Sequence, residues 1–390
     1  MKTKNSLKTL QLDNTTVFVR ADLNVPLNNQ IIGDETRIIK SIPTLQYLLN
    51  KNCTVLLSSH LGRPKGKVVS DLSLQAIATR LNKLIDEPVY FVNDCIGQSV
   101  DDMIAKHKNE RCIILLENLR FHKEETDNNL DFAKKLSKHA QFYINDAFGT
   151  AHRAHASTYQ IATLLPSAPG LLLEKEIEYL GGVLTAPDKP LITLLGGSKV
   201  SSKLTVLKSL LQKSDKVLLG GGMIFTFYKA QGYDIGKSLC EDDFIDNAKA
   251  ILKEFPDKLI LPSDVRVTTE IKKGSGTKNV AVDSIPSDAM GVDIGEETEK
   301  QYSEILKSAK TVLWNGPMGI FEIADYASGT RIVCETMANL DAKTIVGGGD
   351  SVAAATQMGF DHKMSHISTG GGASLEFLEG KVLPGIEALS

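Results

Sequence analysis

Short runs of β-branched and apolar residues recur along this chain, with stretches of helical spacing between them. The runs are 15–20, 53–60, 111–118 and 140–146 in the first half, and 189–197, 216–222, 258–264, 310–316, 343–349 and 366–372 in the second. Uninterrupted apolar runs, rather than strict alternation, are typical of strands that helices cover on both faces. Alternating strands and helices predict an α/β fold with parallel sheets. Because the chain has 390 residues, more than the ~250–300 at which one core stops growing, we expect two domains.

Composition argues against several classes of function. The net charge of −3 gives no field for nucleic acid or an anionic membrane surface, so we expect neither as a partner. There is no signal peptide, and no apolar run reaches the ~20 residues that span a bilayer, which favours a cytoplasmic protein. The five cysteines are far apart and form no C-x-x-C pair. We therefore expect reduced thiols, and neither a disulfide framework nor a zinc site.

The residues at the exits of the runs differ between the two halves. In the first half, the exits carry polar side chains: Arg20, Asp22, Asn24, His60, Arg63, Asn118, Arg120 and Asp146. In the second half, the exits are rich in glycine: 196–197, 220–222, 316, 347–350 and 370–372. Ligands of open α/β sheets bind beyond the carboxyl ends of the strands. We therefore predict one anion site made of side chains and another made of backbone N–H groups at helix starts, with two ligands meeting in a cleft.

Arginine is scarce and unevenly placed. Only nine of the 44 basic residues are arginine, and seven of those nine lie in the first 153 residues. The guanidinium grips carboxylate or phosphate with two hydrogen bonds, which lysine does not do. The bias points to an oxyanion site in the first half, although chance and surface charge also explain such a count.

Three motifs of the first half carry candidate anion ligands. In "VRADLNVP", Arg20, Asp22 and Asn24 share one face of an extended segment, although such a run is also typical of a solvated strand end. "SSHLGRP" (58–64) places a histidine and an arginine three apart in a Gly/Pro loop. "DAFGTAHRAHAS" (146–157) has an H-x-x-H pair without further metal ligands, so its arginine is the better candidate, as an anion ligand.

Three glycine-rich motifs of the second half suggest phosphate binding. "GGSKVSSK" places Lys199 and Lys203 four apart, which predicts one helical face, and an exposed face without function is the alternative. "KTIVGGGDSVAAATQMG" (343–359) and "HISTGGGAS" (366–374) predict glycines that open a helix. The first of these matches neither G-x-x-x-x-G-K-[ST] nor G-x-G-x-x-G, yet an acid beside bare backbone suits a phosphate with a metal ion. The lone Glu322 in "LWNGPMGIFE" is weaker evidence of a functional residue.

Taken together, these stretches resemble one family. "RADLNVP", "DETR", "SSHLGRP", "LLENLRFH", "NDAFGTAHRAHAS", "GGSKVSSK", "GGGM", "WNGPMGIFE", "GGGDS" and "STGGGASLEFLEGKVLPG" occur in the order and spacing of phosphoglycerate kinases. The similarity runs from about residue 17 to residue 389.

The resemblance implies a monomer of two Rossmann-like three-layer domains with parallel sheets, joined by a hinge helix. Residues 1–170, with a C-terminal tail of about 380–390, correspond to the phosphoglycerate-binding domain. The interdomain helix is 171–184 and the nucleotide-binding domain 185–379. The implied reaction, in glycolysis and gluconeogenesis, is reversible phosphoryl transfer between 1,3-bisphosphoglycerate and Mg-ADP, giving 3-phosphoglycerate and Mg-ATP.

The resemblance also implies roles for individual residues. The phosphoglycerate site corresponds to Asp22, Leu23, Asn24, Arg37, His60, Leu61, Gly62, Arg63, Arg120 and Arg153. The nucleotide side corresponds to Lys203, Gly291, Glu322 on the ribose, Gly348, Gly349, Asp350 on Mg²⁺, and Ser351. The transition-state groups correspond to Arg37, Lys199, Gly349 and Gly372. The chain departs from the common pattern at Ser202, often an acid, and at Ser351, often threonine, which bears on tuning of the nucleotide site.

A carboxylate acceptor is already ionised at pH 7, so the implied reaction requires no general base, and none is evident. Catalysis then reduces to in-line positioning and stabilisation of charge on the transferred group. One rival is another acyl-phosphate-forming kinase, for acetate or aspartate, whose substrate lacks a second phosphate and needs no such arginine cluster. The other is a binding protein that kept the fold, which predicts loss of Lys199, Arg37 or Asp350, and all three are present.

Overall fold

The computed structural model describes residues 4–390, which divide into two compact units. The first unit runs as far as Glu178 and includes Val382–Ser390, and the second is Tyr179–Lys381. No helix within residues 4–390 is both long enough and apolar enough to cross a membrane.

The first unit contains eight strands and the helices between them. The strands are β1 Thr16–Ala21, β2 Leu27–Asn28, β3 Ile31–Ile32, β4 Thr54–Ser58, β5 Val89–Val92, β6 Cys112–Leu116, β7 Phe142–Asp146 and β8 Ser167–Pro169. The helices are α1 Thr36–Leu49, α2 Gln75–Leu81, α3 Gln98–Lys106, α4 Lys123–Thr126 and α5 Leu130–Ser137, and α6 Leu171–Thr185 leads into the second unit. Six strands form one sheet in the order β5-β6-β4-β1-β7-β8, with every neighbouring pair parallel.

Burial explains why these segments form a central sheet. All residues of β1, β4 and β6 are buried, as the uninterrupted apolar runs predict for a sheet covered on both faces. Helix α1 turns Ile38, Leu45 and Leu48 into the same core as Val17 and Val55. The short pair β2–β3 is a separate antiparallel hairpin.

The second unit repeats this plan and adds a small antiparallel sheet. Its strands are β9 Leu191–Leu195, β10 Lys216–Leu219, β11 Leu259–Ile260, β12 Asp264–Thr268, β13 Lys278–Ala281, β14 Met290–Ile294, β15 Thr311–Asn315, β16 Lys343–Gly347 and β17 His366–Ile367. Its helices are α7 Leu204–Lys213, α8 Ile224–Gln231, α9 Ile245–Glu254, α10 Glu296–Lys307, α11 Ser328–Ala338, α12 Gly349–Gln357 and α13 Gly372–Leu378. The main sheet is parallel, with the order β11-β10-β9-β15-β16-β17.

The chain ends in the first unit with α14, Pro384–Glu387. The Gly385 N–H donates to the Ala151 carbonyl at 2.8 Å, and the Asn145 side chain donates to the Gly385 carbonyl at 3.1 Å. These bonds attach the tail beside the end of β7.

The expectation of an α/β fold with parallel sheets is confirmed, and each of the ten predicted runs contains a strand. The sequence did not predict β5, β8, the β2–β3 hairpin or the antiparallel sheet β13-β12-β14. In β13, three of the four residues are exposed, so no apolar run marks it.

Candidate active site

A buried arginine lies at the centre of the first unit's strand exits. In the sheet register, Arg20 of β1 stands beside Ser58 of β4 and Asn145 of β7. Its side chain is fully buried, and its Nε donates to Ser157 Oγ at 2.8 Å. Ser157 connects Arg20 to the buried carboxylate of Glu125, which balances the charge of the arginine. Glu125 accepts hydrogen bonds from the Ser157 hydroxyl at 2.6 Å and from the Ser157 N–H at 3.0 Å.

His60 is a neutral imidazole held against this arginine. Arg20 Nη2 lies 3.1 Å from His60 Nδ1, and because a guanidinium only donates, Nδ1 is the acceptor. Burial holds the pKa of His60 well below its usual value, and the charges of Arg20, Arg120 and Arg37 lower it further. The proton is therefore on Nε2, so His60 offers a neutral N–H donor.

Arg37 of α1 is anchored beside the exit of β1. Its Nη1 donates to Asp22 Oδ1 at 3.1 Å and to the Asn24 carbonyl at 2.9 Å. The Asn24 side chain in turn accepts from the Gly62 N–H at 2.9 Å, which ties the loops after β1 and β4 together. Asp22 is thus an anchor for Arg37.

Arg120, Arg63 and Arg153 complete a set of cations. Arg120 Nη1 donates to the Gly62 carbonyl at 2.8 Å, while its buried Nε has no partner. Burial, followed by repulsion from Arg20 and Arg153, lowers the pKa of Arg120 to about 10. Arg63 and Arg153 are exposed, and Arg63 makes no hydrogen bond or ion pair within residues 4–390. Arginines packed closely enough to repel one another, with donors unused, are suited to a multiply charged anion.

Two of the residues predicted for the first-half site, Leu23 and Leu61, are buried. Leu23 and Leu61 have exposed fractions of 0% and 2%, so they support the site from within the core. Their N–H groups are already used, by Ser59 Oγ and Asn118 Oδ1.

The second unit contains a pocket of 380 Å³ at the exits of its strands. Its lining is Gly197, Ser198, Gly221, Gly222, Ile224, Phe225, Lys237, Leu239, Ile271, Met290, Gly291, Val292, Asp293, Pro317, Met318, Gly319, Ile320, Glu322 and Asp350. The sequence predicted Gly291, Glu322 and Asp350 among these residues. An apolar slot edged by a few polar groups is the usual form of a small-molecule site.

Gly291 is needed because of a close neighbour. A Cβ at this position would overlap the ring of Phe225, the aromatic residue of the pocket wall. The Gly291 N–H donates to Ser238 Oγ at 2.9 Å, which holds β14 in place.

Other glycines in this unit serve packing. Side chains at Gly196 or Gly316 would overlap the backbone of the opposite loop, because the exits of β9 and β15 touch there. The Gly196 N–H donates to the Asn315 carbonyl at 3.0 Å. The prediction that these glycines present N–H groups to an anion is therefore wrong for Gly196, and also for Gly316, whose N–H donates to Ser351 Oγ.

Lys203 is held by an asparagine at the end of β15. Its Nζ donates to Asn315 Oδ1. Burial lowers the pKa of Lys203 to about 8, against the opposing effect of Asp350. The Nδ2 of Asn315 is buried without a partner and lies next to Gly348. A buried donor that lacks a partner beside a lysine indicates a ligand position.

The predicted helical face of Lys199 and Lys203 is wrong. Helix α7 begins only at Leu204, and Lys203 is its N-cap residue. The Lys203 N–H donates to the Val200 carbonyl at 2.9 Å in a turn. The segment before Lys203 forms a loop because its glycine and serine residues favour turns over a helix. Lys199 is exposed, whereas Lys203 is partly buried.

The two glycine triplets open helices as predicted. Gly348 has φ of 88° and caps α12, and Gly371 has φ of 51° and caps α13. Space is open around Gly349 and Gly372, so their backbone is accessible. Ser351 is fully buried, and its hydroxyl accepts from the Gly316 N–H at 2.5 Å, so this side chain joins the start of α12 to the exit of β15.

Asp350 suits a magnesium ion that arrives with a nucleotide. It is exposed in the first turn of α12, lines the pocket, and makes no hydrogen bond within residues 4–390. Mg²⁺ keeps several waters and takes one or two carboxylates together with substrate phosphates. A single exposed carboxylate on the lining of the pocket fits that preference.

Asn315 and Glu125 were not predicted as site residues, and Arg20 was predicted only as a candidate anion ligand at a strand exit. Arg20 was visible at a strand exit, but its contact with His60 depends on the register of β1 and β4. Asn315 also stood at a strand exit, in "WNG", and is placed by its pairing with Leu195 and Gly347. Glu125 carried no sequence signal.

Comparison with known proteins gives one family. The sequence model of phosphoglycerate kinase matches residues 7–381. The phosphoglycerate kinase of Dictyoglomus turgidum is 51% identical over 392 residues, covering 100% of this chain and 98% of that protein. The chloroplastic phosphoglycerate kinase of Volvox carteri is 51% identical over 397 residues, covering 100% of this chain and 86% of that protein. The solved phosphoglycerate kinase from Coxiella burnetii has a TM-score of 0.90 at 39% identity, covering 99% of this chain and 98% of that one. This chain therefore belongs to the phosphoglycerate kinase family and is a phosphotransferase.

Proposed function

We propose that this chain, a kinase of glycolysis by its family, transfers a phosphoryl group reversibly between 1,3-bisphosphoglycerate and Mg-ADP. The products are 3-phosphoglycerate and Mg-ATP, and the reverse direction serves gluconeogenesis. The observation that carries this proposal is that one unit has a cluster of arginines suited to an anion, while the other unit has a pocket lined by glycines.

The phosphoglycerate binds in the first unit. Arg63 and Arg153, which are exposed, grip the phosphate ester together with Arg120 and its unused Nε. His60 donates from its neutral Nε2, and Asp22 and Asn24 hold the substrate end of the site through Arg37. The backbones of Leu23, Leu61 and Gly62 shape the cradle.

The nucleotide binds in the second unit. The base lies in the apolar slot against Gly291, the ribose meets Glu322, and the phosphates approach Lys203 and the helix start formed by Gly348, Gly349, Asp350 and Ser351. The N–H groups and the positive end of α12 favour negative charge there. Asp350 would hold the magnesium ion that arrives with the nucleotide, and the ion would neutralise part of the phosphate charge.

Transfer needs charge stabilisation more than proton movement. The acceptor carboxylate is ionised at pH 7, so no base is required. Arg37 and Lys199 approach the transferred group as cations, and the backbone of Gly349 and Gly372 donates N–H groups to it. Preorganised donors of this kind act on charge that develops in the transition state.

Because the two ligands bind to different units and each also needs a path in, we expect closure around a hinge when both are bound. We place the hinge points at the ends of the 171–184 helix and near residues 372–384, where the chain returns to the first unit. Closure also excludes water that would hydrolyse the acyl phosphate. Small-angle scattering tests this: the radius of gyration falls most with both ligands present, and a profile identical to that of the ligand-free protein rejects the hinge.

We further place the protein in the cytoplasm as a monomer. All five cysteines lie within residues 4–390 and are free thiols, four of them buried, which suits a reducing compartment. Sedimentation of the pure chain tests the monomer, and a stable dimer at assay concentration overturns it.

A coupled assay tests the function against both rivals. With Mg-ATP as donor, 3-phosphoglycerate should be the acceptor, while acetate and aspartate should give no turnover above background. Preference for acetate or aspartate would instead favour another acyl-phosphate-forming kinase. Tight binding of both ligands without turnover would favour a binding protein.

A further inference from the structure

Three metal-ligating side chains converge in the first unit, apart from the arginines. Asp94, Cys95 and His122 each offer a ligand atom, and these atoms lie within 4.8 Å of one another. Within residues 4–390, no other group of three such side chains meets this condition.

The sheet explains the convergence. Asp94 and Cys95 follow β5, and His122 follows the turn after β6. Because β5 and β6 are parallel neighbours, their exits lie at the same edge of the sheet. The Glu117 N–H, at the end of β6, donates to the Asp94 carbonyl at 3.3 Å and joins the two exits.

Two of the three side chains are already aligned and reachable from solvent. His122 Nε2 lies 2.8 Å from Asp94 Oδ1, and the imidazole packs on the Phe132 ring at 5.2 Å between centroids. The side chains of His122 and Asp94 are 26% and 44% exposed, which leaves an entry path for an ion.

The third side chain is a buried thiol in negative surroundings. Cys95 has an exposed fraction of 2%, and its Sγ makes no hydrogen bond to another residue within the described range. The carboxylates of Asp94, Glu125 and Glu117 are near enough to interact electrostatically with this thiol. A cation at this position would meet an unpartnered sulfur and nearby carboxylates.

We propose that Asp94, Cys95 and His122 form a binding site for Zn²⁺, with water as the fourth ligand. Zinc accepts thiolate, imidazole and carboxylate in tetrahedral sites, and often three protein ligands with one water. Thiolate and imidazole select against Mg²⁺, which prefers oxygen. Ligand atoms on tetrahedral zinc stand roughly 3.3–3.8 Å apart by its bond lengths. The most distant pair of the three atoms must therefore approach by about an ångström, whereas His122 Nε2 and Asp94 Oδ1, now 2.8 Å apart, must separate slightly.

Binding involves a balanced exchange. The Cys95 S–H bond breaks, its proton passes to solvent, and a sulfur–zinc bond forms. The hydrogen bond between His122 Nε2 and Asp94 Oδ1 breaks, the Nε2 proton passes to solvent, and the neutral ring then holds its one proton on Nδ1 while Nε2 and the Asp94 carboxylate bind the ion. The sequence argued against zinc because it contains no C-x-x-C pair, whereas this site joins the exits of two strands.

The test is a zinc titration of the full-length, metal-free protein against a chromophoric chelator, with Mg²⁺ in excess. We expect one Zn²⁺ per chain. Cys95→Ser and His122→Gln should each weaken binding at least ~100-fold, since even outer-shell changes weaken metal sites about 10–100-fold. Co²⁺ should give a thiolate charge-transfer band in wild type and not in Cys95→Ser. Kinase activity without zinc should be unchanged in both variants.

Matched controls separate this site from adventitious binding. Cys240→Ser removes a partly exposed thiol 3.4 Å from Asp242, and His139→Gln removes a histidine that pairs with Asp101 without a thiol. Both should bind zinc as wild type does. No zinc binding in wild type, equal binding in wild type and His122→Gln, loss of binding in Cys240→Ser, or a Co²⁺ spectrum without a thiolate band would each overturn the site. If Cys95→Ser does not fold, His122→Gln and the Co²⁺ spectrum of wild type still decide.

Discussion

The Nζ of Lys203 donates to Oδ1 of Asn315, and the Nδ2 of that same amide is buried without a partner beside Gly348. The lysine is partly desolvated, so its pKa is lowered to about 8. Its charge is therefore only partly present at slightly alkaline pH when no nucleotide is bound.

This relationship predicts a pH dependence of nucleotide binding. The ammonium form binds phosphate, so above the pKa of the free lysine a proton must be taken up on binding. Affinity for ATP should be flat below about pH 7 and fall above about pH 8, approaching tenfold per pH unit. Calorimetry in two buffers of different ionisation enthalpy measures the proton uptake.

Lys203→Arg supplies the control, because arginine keeps its charge over this range. Its affinity should be lower or equal at neutral pH but should change little with pH. If the ATP affinity of the wild-type protein changes by less than about half a log unit between pH 8 and pH 9, the proposed role of Lys203 is contradicted.

Lys199→Ala should abolish turnover without unfolding the protein. Lys199 is exposed in a loop, so its removal should change stability by no more than about 0.5 kcal/mol. Its cation acts mainly in the transition state, so kcat should fall at least ~10²–10³-fold while both KM values change little. Lys208→Ala, an exposed lysine of α7, should keep full activity. A folded Lys199→Ala enzyme with normal kcat refutes the assignment.

Arg63→Ala and Arg153→Ala should weaken phosphoglycerate binding selectively. Each loses a charge-assisted contact of roughly 1.5–3 kcal/mol, which corresponds to about 10–150-fold in affinity. Nucleotide affinity should barely move, because its residues belong to the other unit. Arg331→Ala, an exposed arginine of α11, should leave both affinities unchanged. Equal losses for both ligands after either first-unit substitution would be incompatible with separate sites.

Gly291→Ala should damage the nucleotide pocket through Phe225. The added Cβ overlaps the Phe225 ring, and overpacking of this kind destabilises by about 1–3 kcal/mol. KM for ATP should rise and KM for 3-phosphoglycerate should stay the same. Phe225→Leu in the Gly291→Ala background should restore part of the ATP affinity. An unaltered KM for ATP in the single variant, or no recovery in the double, would show that this contact does not shape the pocket.

The sequence predicted those features that depend on local pattern. Apolar runs marked the strands of both parallel sheets, and the glycines at 347–349 and 370–372 marked the starts of α12 and α13. The bias of arginine toward the first half predicted an anion site, and four of those arginines, Arg20, Arg37, Arg120 and Arg153, belong to one electrostatic cluster. Arg63 follows Gly62, whose carbonyl accepts from Arg120.

Features were not predictable where they depend on which strands are adjacent, or on nearby residues that oppose a helix. The contact of Arg20 with His60 and the support of Lys203 by Asn315 both require knowing which strands are adjacent. The four-residue spacing of Lys199 and Lys203 suggested a helix, but the glycine- and serine-rich approach delays the helix to Leu204. The small antiparallel sheet was missed because β13 is largely exposed and lacks an apolar run.

Direct transfer between the two sites is the central claim, and a single-turnover experiment tests it most directly. Excess enzyme is mixed with γ-labelled Mg-ATP and 3-phosphoglycerate and quenched at short times. The label should appear as the hydroxylamine-sensitive acyl phosphate of 1,3-bisphosphoglycerate, only when 3-phosphoglycerate is present, and with no labelled protein at any time. Label on the protein before it reaches the product, or label released only as inorganic phosphate, would contradict direct in-line transfer.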